Sequence, residues 1–155
     1  TATPPIVDRI ATEIQTKLLQ LVAAGVLTAA QRPARVGIPE GIGNKSAVLL
    51  QGDTREDDEQ LHGYKCWVTP FEVYLCLRPS DTDTAAVDAA LNLLRAQVER
   101  KLIEDFTAGD PLLGGYADNV TIQEPANFTL GEAIAGVIVN LDVHYRHLEG
   151  DPFTQ

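Results

Sequence analysis

The stretch Glu132–Gln155, "EAIAGVIVNLDVHYRHLEGDPFTQ", decides how this chain folds. Ala133, Ala135, Val137, Val139, Leu141, Val143 and Tyr145 put apolar character on seven consecutive odd positions, the period-two signature of a strand. The even positions change along the way: Ile134, Gly136 and Ile138 are apolar, whereas Asn140, Asp142, His144 and Arg146 are polar. The first half is therefore expected to be buried on both faces and the second half on one. At about 3.3 Å per residue the strand would span roughly 45 Å, more than twice the usual single-domain length. It is expected to outrun its own domain at the C-terminal end and pass into an extended tail at about 147–155.

Working back from that strand, "DNVTIQEP" (118–125) reads as a short strand. Before it, "DTDTAAVDAALNLLRAQVERKLIEDF" (81–106) predicts a helix. Its Asp/Thr residues suit a cap, Val87, Leu91, Leu94, Val98, Leu102 and Phe106 form one apolar stripe, and Gly109 and Pro111 stop it. "YKCWVTPFEVYLCLR" (64–78) alternates Phe71, Val73, Leu75 and Leu77 with Glu72, Tyr74, Cys76 and Arg78, a half-buried strand. Pro70 inside it predicts a bulge or two strands in series. Two further short strands are expected at 35–38 and 46–51, around a Pro/Gly-rich loop. At the start, Pro4 and Pro5 lead into a helix with Ile6, Ile10, Ile14, Leu18, Leu21 and Val22 on one face and Gly25 as its C-cap.

The order helix, strands, helix, strands predicts one α+β domain over 1–155, with a mostly antiparallel sheet and both helices packed on it. The stretch 53–63, "DTREDDEQLHG", interrupts the apolar pattern and is expected to be a solvated, mobile acidic loop.

The composition narrows the function classes. With 22 acidic and 12 basic residues the formal charge is −10. Tight binding of nucleic acid, which draws its affinity from Lys and Arg on phosphates, is a poor fit. No apolar run reaches the eighteen or so residues of a membrane span, and the first ten residues show no secretory-signal pattern, so no membrane role is expected. Cys66 and Cys76 match no metal or redox spacing and read as buried thiols of a cytosolic protein.

The chemical motifs fail one by one. In "GIPEGIGNKS" (37–46) Asn44 separates Gly43 from Lys45, and a strand follows where a phosphate loop needs a helix. His144 and His147 would point to opposite faces of an extended strand, so a shared metal needs the chain to turn between them, and interface or surface residues are the expectation. Glu56–Glu59 lacks the spacing of a calcium loop. No Ser or Cys stands in a recognisable nucleophile setting. No cofactor is expected, and the sequence makes no case for an enzyme.

The ending supplies a resemblance. A long final strand closing in "VHYRHLEGDPFTQ" (143–155), with Gly150-Asp151-Pro152, resembles the tail-terminator (tail-completion) proteins of long-tailed bacteriophages. The order of elements agrees with that family over nearly the whole chain. The resemblance implies a structural virion protein of the tail and neck region, assembled in the host bacterial cytoplasm. It would form a homo-hexameric ring that caps the tail tube, ends its elongation and meets the head-completion or connector protein. Two other readings stay open: another connector or tail tube subunit, and, in a different class, a small cytosolic enzyme or ligand-binding domain.

A ring needs head-to-tail contacts, and an overlong strand is a natural donor to the next subunit. Asp142, His144, Arg146, His147, Glu149, Asp151, Pro152 and Phe153 are therefore expected at a subunit or tail interface. Removing 148–155 is expected to leave the fold intact and abolish ring or tube attachment. Six copies would carry −60 around a channel that DNA crosses without specific binding. Asp53, Glu56, Asp57, Asp58 and Glu59 are the candidates to face that lumen.

Overall fold

A computed structural model describes residues 3–32, 45–78, 84–130 and 134–155. Seven strands form one mixed, mostly antiparallel sheet: β1 (Ala29–Gln31), β2 (Lys45–Gln51), β3 (Arg55–Glu56), β4 (Tyr64–Leu77), β5 (Asn119–Ile122), β6 (Ala126–Leu130) and β7 (Ile134–Leu148). The order is β1-β2-β4-β7-β5, with β3 beside β4 and β6 beside β7, and among the described residues only the β1–β2 pair is parallel. Three helices accompany it: α1 (Ile6–Ala23), α2 (Thr84–Leu102) and α3 (Glu104–Ala108). The predicted α+β class and mostly antiparallel sheet are what the chain adopts.

The apolar stripes explain the layers. α1 buries Ile6, Ile10, Ile14, Leu18 and Leu21, and α2 buries Leu91, Leu94, Val98 and Leu102. α2 presses on the odd positions of β4 and β7, where Phe71, Val73, Leu75, Val137, Val139, Leu141 and Val143 are buried, and α1 lies beside α2 over β1 and β2 in the same core. Each odd residue of β4 faces an odd residue of β7 in register, from Trp67 opposite Tyr145 to Leu77 opposite Ala135, so one side of the sheet is apolar but for Thr69, whose hydroxyl bonds that of Thr54. α1 ends as its glycine predicts. Gly25 has φ 79°, its N–H reaches Val22 O at 3.1 Å, and Val26 N–H reaches Leu21 O at 3.0 Å, which together close the last carbonyls.

Several expectations are corrected. β7 does not outrun its domain, because β4 is nearly as long and pairs it without a break from Tyr64 opposite Leu148 to Leu77 opposite Ala135. β5 and β6 occupy its other edge. The extended tail is instead a turn that folds back. Asp151 N–H bonds to Leu148 O at 2.9 Å, and Pro152 O accepts Ile6 N–H at 3.0 Å, so the chain's end closes on the first turn of α1.

The helix predicted through Phe106 breaks at Ile103 (φ −107°, ψ 13°). The break turns Glu104 and Asp105 inward against Lys17, at 2.8 and 3.1 Å, and leaves Phe106 72% exposed. Pro70 makes neither a bulge nor a break in β4, whose register with β7 runs straight through it. Pro70 O accepts Gly52 N–H at 2.7 Å, so its backbone, with no N–H to give, faces the edge where the neighbour changes from β2 to β3. β1, β3 and β6 were not foreseen. The strand expected at 35–38 and the cap at 81–83 lie outside the described residues, as does Ala133.

Candidate functional site

The helices cover one face of the sheet, and the even positions of β7 point to the other. Asp142, His144 and Arg146 therefore form a row, and in-register pairing brings Pro70, Val68 and Cys66 of β4 beside them. β3 and the acidic loop lie on the far side of β4, with Arg55 in register with Val68. This geometry fastens the loop to the row. Arg55 Nη2 reaches Asp142 Oδ2 at 3.0 Å, and Asp57 N–H donates to Cys66 O at 3.0 Å. His144 Nδ1 lies 2.9 Å from Asp57 Oδ2, and because a carboxylate only accepts, Nδ1 carries the proton.

The electrostatics follow from these contacts. The hydrogen bond from His144 holds the Asp57 carboxyl below the usual range, against the opposing effect of its partial burial. Asp118, at the start of β5, is pushed up by burial, while Arg146 at 3.7 Å pulls the other way. Arg146 also lies over the Tyr64 ring, 4.9 Å from its centroid. A shallow open cleft of about 440 Å³ runs between Asp57, Glu59, Leu61, Asp118, Asn119, His144 and Arg146. A second, of about 470 Å³, lies between the loop and Glu149.

The predicted interface residues fall in three places. Asp142, His144 and Arg146 share the charged row. His147 points to the helix side, where its Nε2 accepts Trp67 Nε1–H at 2.8 Å and its Nδ1 donates to Leu148 O at 2.7 Å. Glu149, Asp151, Pro152 and Phe153 belong to the folded-back turn. Glu149 N–H donates to Gly63 O at 3.1 Å, Asp151 Oδ1 accepts Phe153 N–H at 3.1 Å, and Phe153 O accepts Arg9 Nη2 at 3.2 Å.

In the acidic loop, Glu56 pairs with Lys65 at 2.7 Å and raises that ammonium's pKa, while Asp58 and Glu59 are exposed. Asp53 is also exposed, ahead of β3. The loop is thus solvated as expected, and it is tied to β4 and β7 through Arg55, Glu56 and Asp57. Sequence reasoning missed Arg55, Asp118 and Tyr64, which complete the row. Only the registers β3–β4, β4–β7 and β5–β7 bring them there.

Charged contacts dominate the arrangement. Both cysteines are buried, and burial pushes the Cys76 thiol up to about 11 and raises that of Cys66, so neither is a ready thiolate. Among the described residues no group of three or more His, Cys, Asp or Glu is placed to hold a metal ion. No described helix is long and apolar enough to cross a membrane. No protein-family model matches this sequence, and no curated protein matches it either.

Proposed function

We propose that this chain is a ring-forming structural subunit of the phage tail-terminator type, which caps a tail tube and joins it to the head connector. The observation that carries the reading is the order of elements. An N-terminal amphipathic helix, a strand set, a long central helix and a closing strand build one sheet with helices packed on it. That is the architecture the resemblance in Val143–Gln155 implies. A fold alone does not assign a function, so the charged row is the second support. Asp142, His144, Arg146 and the acidic loop offer a charged patch from which charge complementarity can set the register of a neighbour or a tube.

In this reading Glu56, Asp58 and Glu59 face the channel and repel passing DNA. The subunit contacts are head-to-tail, since only a heterologous contact closes a ring of six. The reading assigns no catalytic residue.

The test is the mass of the purified protein by light scattering, alone and after addition of phage tail tubes. A mass close to six times the 16.8 kDa chain, free or on tubes, is the expected result. A chain that stays at the protomer mass and ignores tubes overturns the proposal.

A further inference from the structure

Glu149–Gln155 folds back from β7 as a strap that, besides internal bonds such as that from Phe153 N–H to Asp151 Oδ1, bonds outward to the rest of the chain. Pro152 O accepts Ile6 N–H at 3.0 Å, Phe153 O accepts Arg9 Nη2 at 3.2 Å, and Thr154 O accepts Leu148 N–H at 2.7 Å. Gln155 Nε2 donates to Tyr116 O at 2.6 Å. Little apolar area holds the segment, since Pro152–Gln155 are all exposed and Phe153 keeps 44% of its surface in water. The bend depends on Gly150, whose φ of +81° is the left-handed region that side chains disfavour, and open space surrounds it. The strap is therefore hydrogen-bonded rather than packed, and it hangs on one glycine hinge.

We infer that the strap is exchangeable between copies. In the assembled state Gly150 straightens, and each strap closes on Ile6, Arg9, Tyr116 and Leu148 of the next copy instead of its own. Every bond just named involves groups that a second copy presents identically, so exchange reproduces them all. The turn bond from Asp151 N–H to Leu148 O, 2.9 Å long, is the local contact that opening the hinge gives up. Exchange of an identical element is a low-cost route to assembly, and passed head to tail it yields a ring. The occupant of each strap site is thus a second copy of this chain. This deepens the ring reading by naming the segment that links subunits, and it requires no phage partner.

Two full-fold variants test it. Gly150→Val strains the closed hinge and suits an extended one. At equal concentration it should associate at least tenfold more readily than the unaltered chain in light scattering. A chain ending at Leu148, checked for its sheet by circular dichroism, should lose association. Gly150→Val remaining at the protomer mass overturns the inference, and so does a truncated chain that associates as readily as Gly150→Val. Strap-dependent association without binding to tail tubes keeps the exchange and removes the tail-terminator reading. Strap-independent rings on tubes do the reverse.

Discussion

Gly136 lies directly under the Phe128 ring, its cross-strand partner, and a methyl group there would collide with Cζ, Cε1 and Cε2. Phe128 in turn meets Tyr74 edge-on, with ring centroids 5.5 Å apart. Gly136→Ala should therefore cost about 1–3 kcal/mol through overpacking, read by urea unfolding. Phe128→Ala should cancel much of that cost in the double variant, since the two residues share one contact.

Asp57 gives the residue scale its pH dependence. Its carboxyl is depressed by the His144 hydrogen bond, so the tie contributes stability above the unfolded value of 3.8. That contribution is lost as pH falls through the folded value, below 3.8. Denaturation midpoints followed from pH 6 to pH 2 should drop more steeply there for the unaltered chain than for Asp57→Asn. Parallel curves would show that the tie is not coupled to folding.

At the scale of elements, the end of the central helix separates periodicity from packing. Leu102 is buried and Phe106 is not, although both fall on one 3.6-residue stripe. Leu102→Ala should cost about 2–5 kcal/mol. Phe106→Ser should change stability by less than about 0.5 kcal/mol. Similar losses for the two would mean that α2 continues unbroken. What breaks it is Lys17, whose ammonium is buried to 7% exposure. Burial alone would lower its pKa, but the bonds to Glu104 and Asp105 outweigh that and raise it.

Lys17→Met removes both bonds and should cost about 1–3 kcal/mol in thermal or chemical unfolding. A neutral result would show that the cluster does not hold α3 to α1. Helix positions, stripes and the Gly25 cap were legible in the sequence because each depends on residues three or four apart. The break at Ile103 was not, because its cause sits 86 residues away in another helix.

On the scale of the whole molecule, the two ends of the chain are joined. Pro152 O accepts the N–H of Ile6, at the start of α1, and Arg9 holds Pro4 O and Phe153 O. Deleting Glu149–Gln155 should therefore lower stability by about 2 kcal/mol, a few hydrogen bonds at their usual net value, while the sheet persists. Thermal melts of the truncated chain check this. An unchanged melting temperature would mean the strap does not stabilise α1, as the sequence taken alone had suggested.

The sequence by itself determined the elements and the class. Period-two alternation in β4 and β7, the stripes of α1 and α2, and the glycine stops at Gly25 and Gly109 are local signals with local causes. It also singled out Asp142, His144 and Arg146 as one row, because alternate strand positions share a face whatever lies beside them. Only the tertiary structure decided what that row meets. A strand carries no record of its neighbours' register, so Arg55, Asp57 and Asp118 became its partners through pairings distant in sequence. The same reason explains the tail. Whether a Gly-Asp-Pro ending runs on or folds back depends on acceptors and donors at the opposite end of the chain, and Ile6 and Arg9 supply them only once α1 has packed into the core.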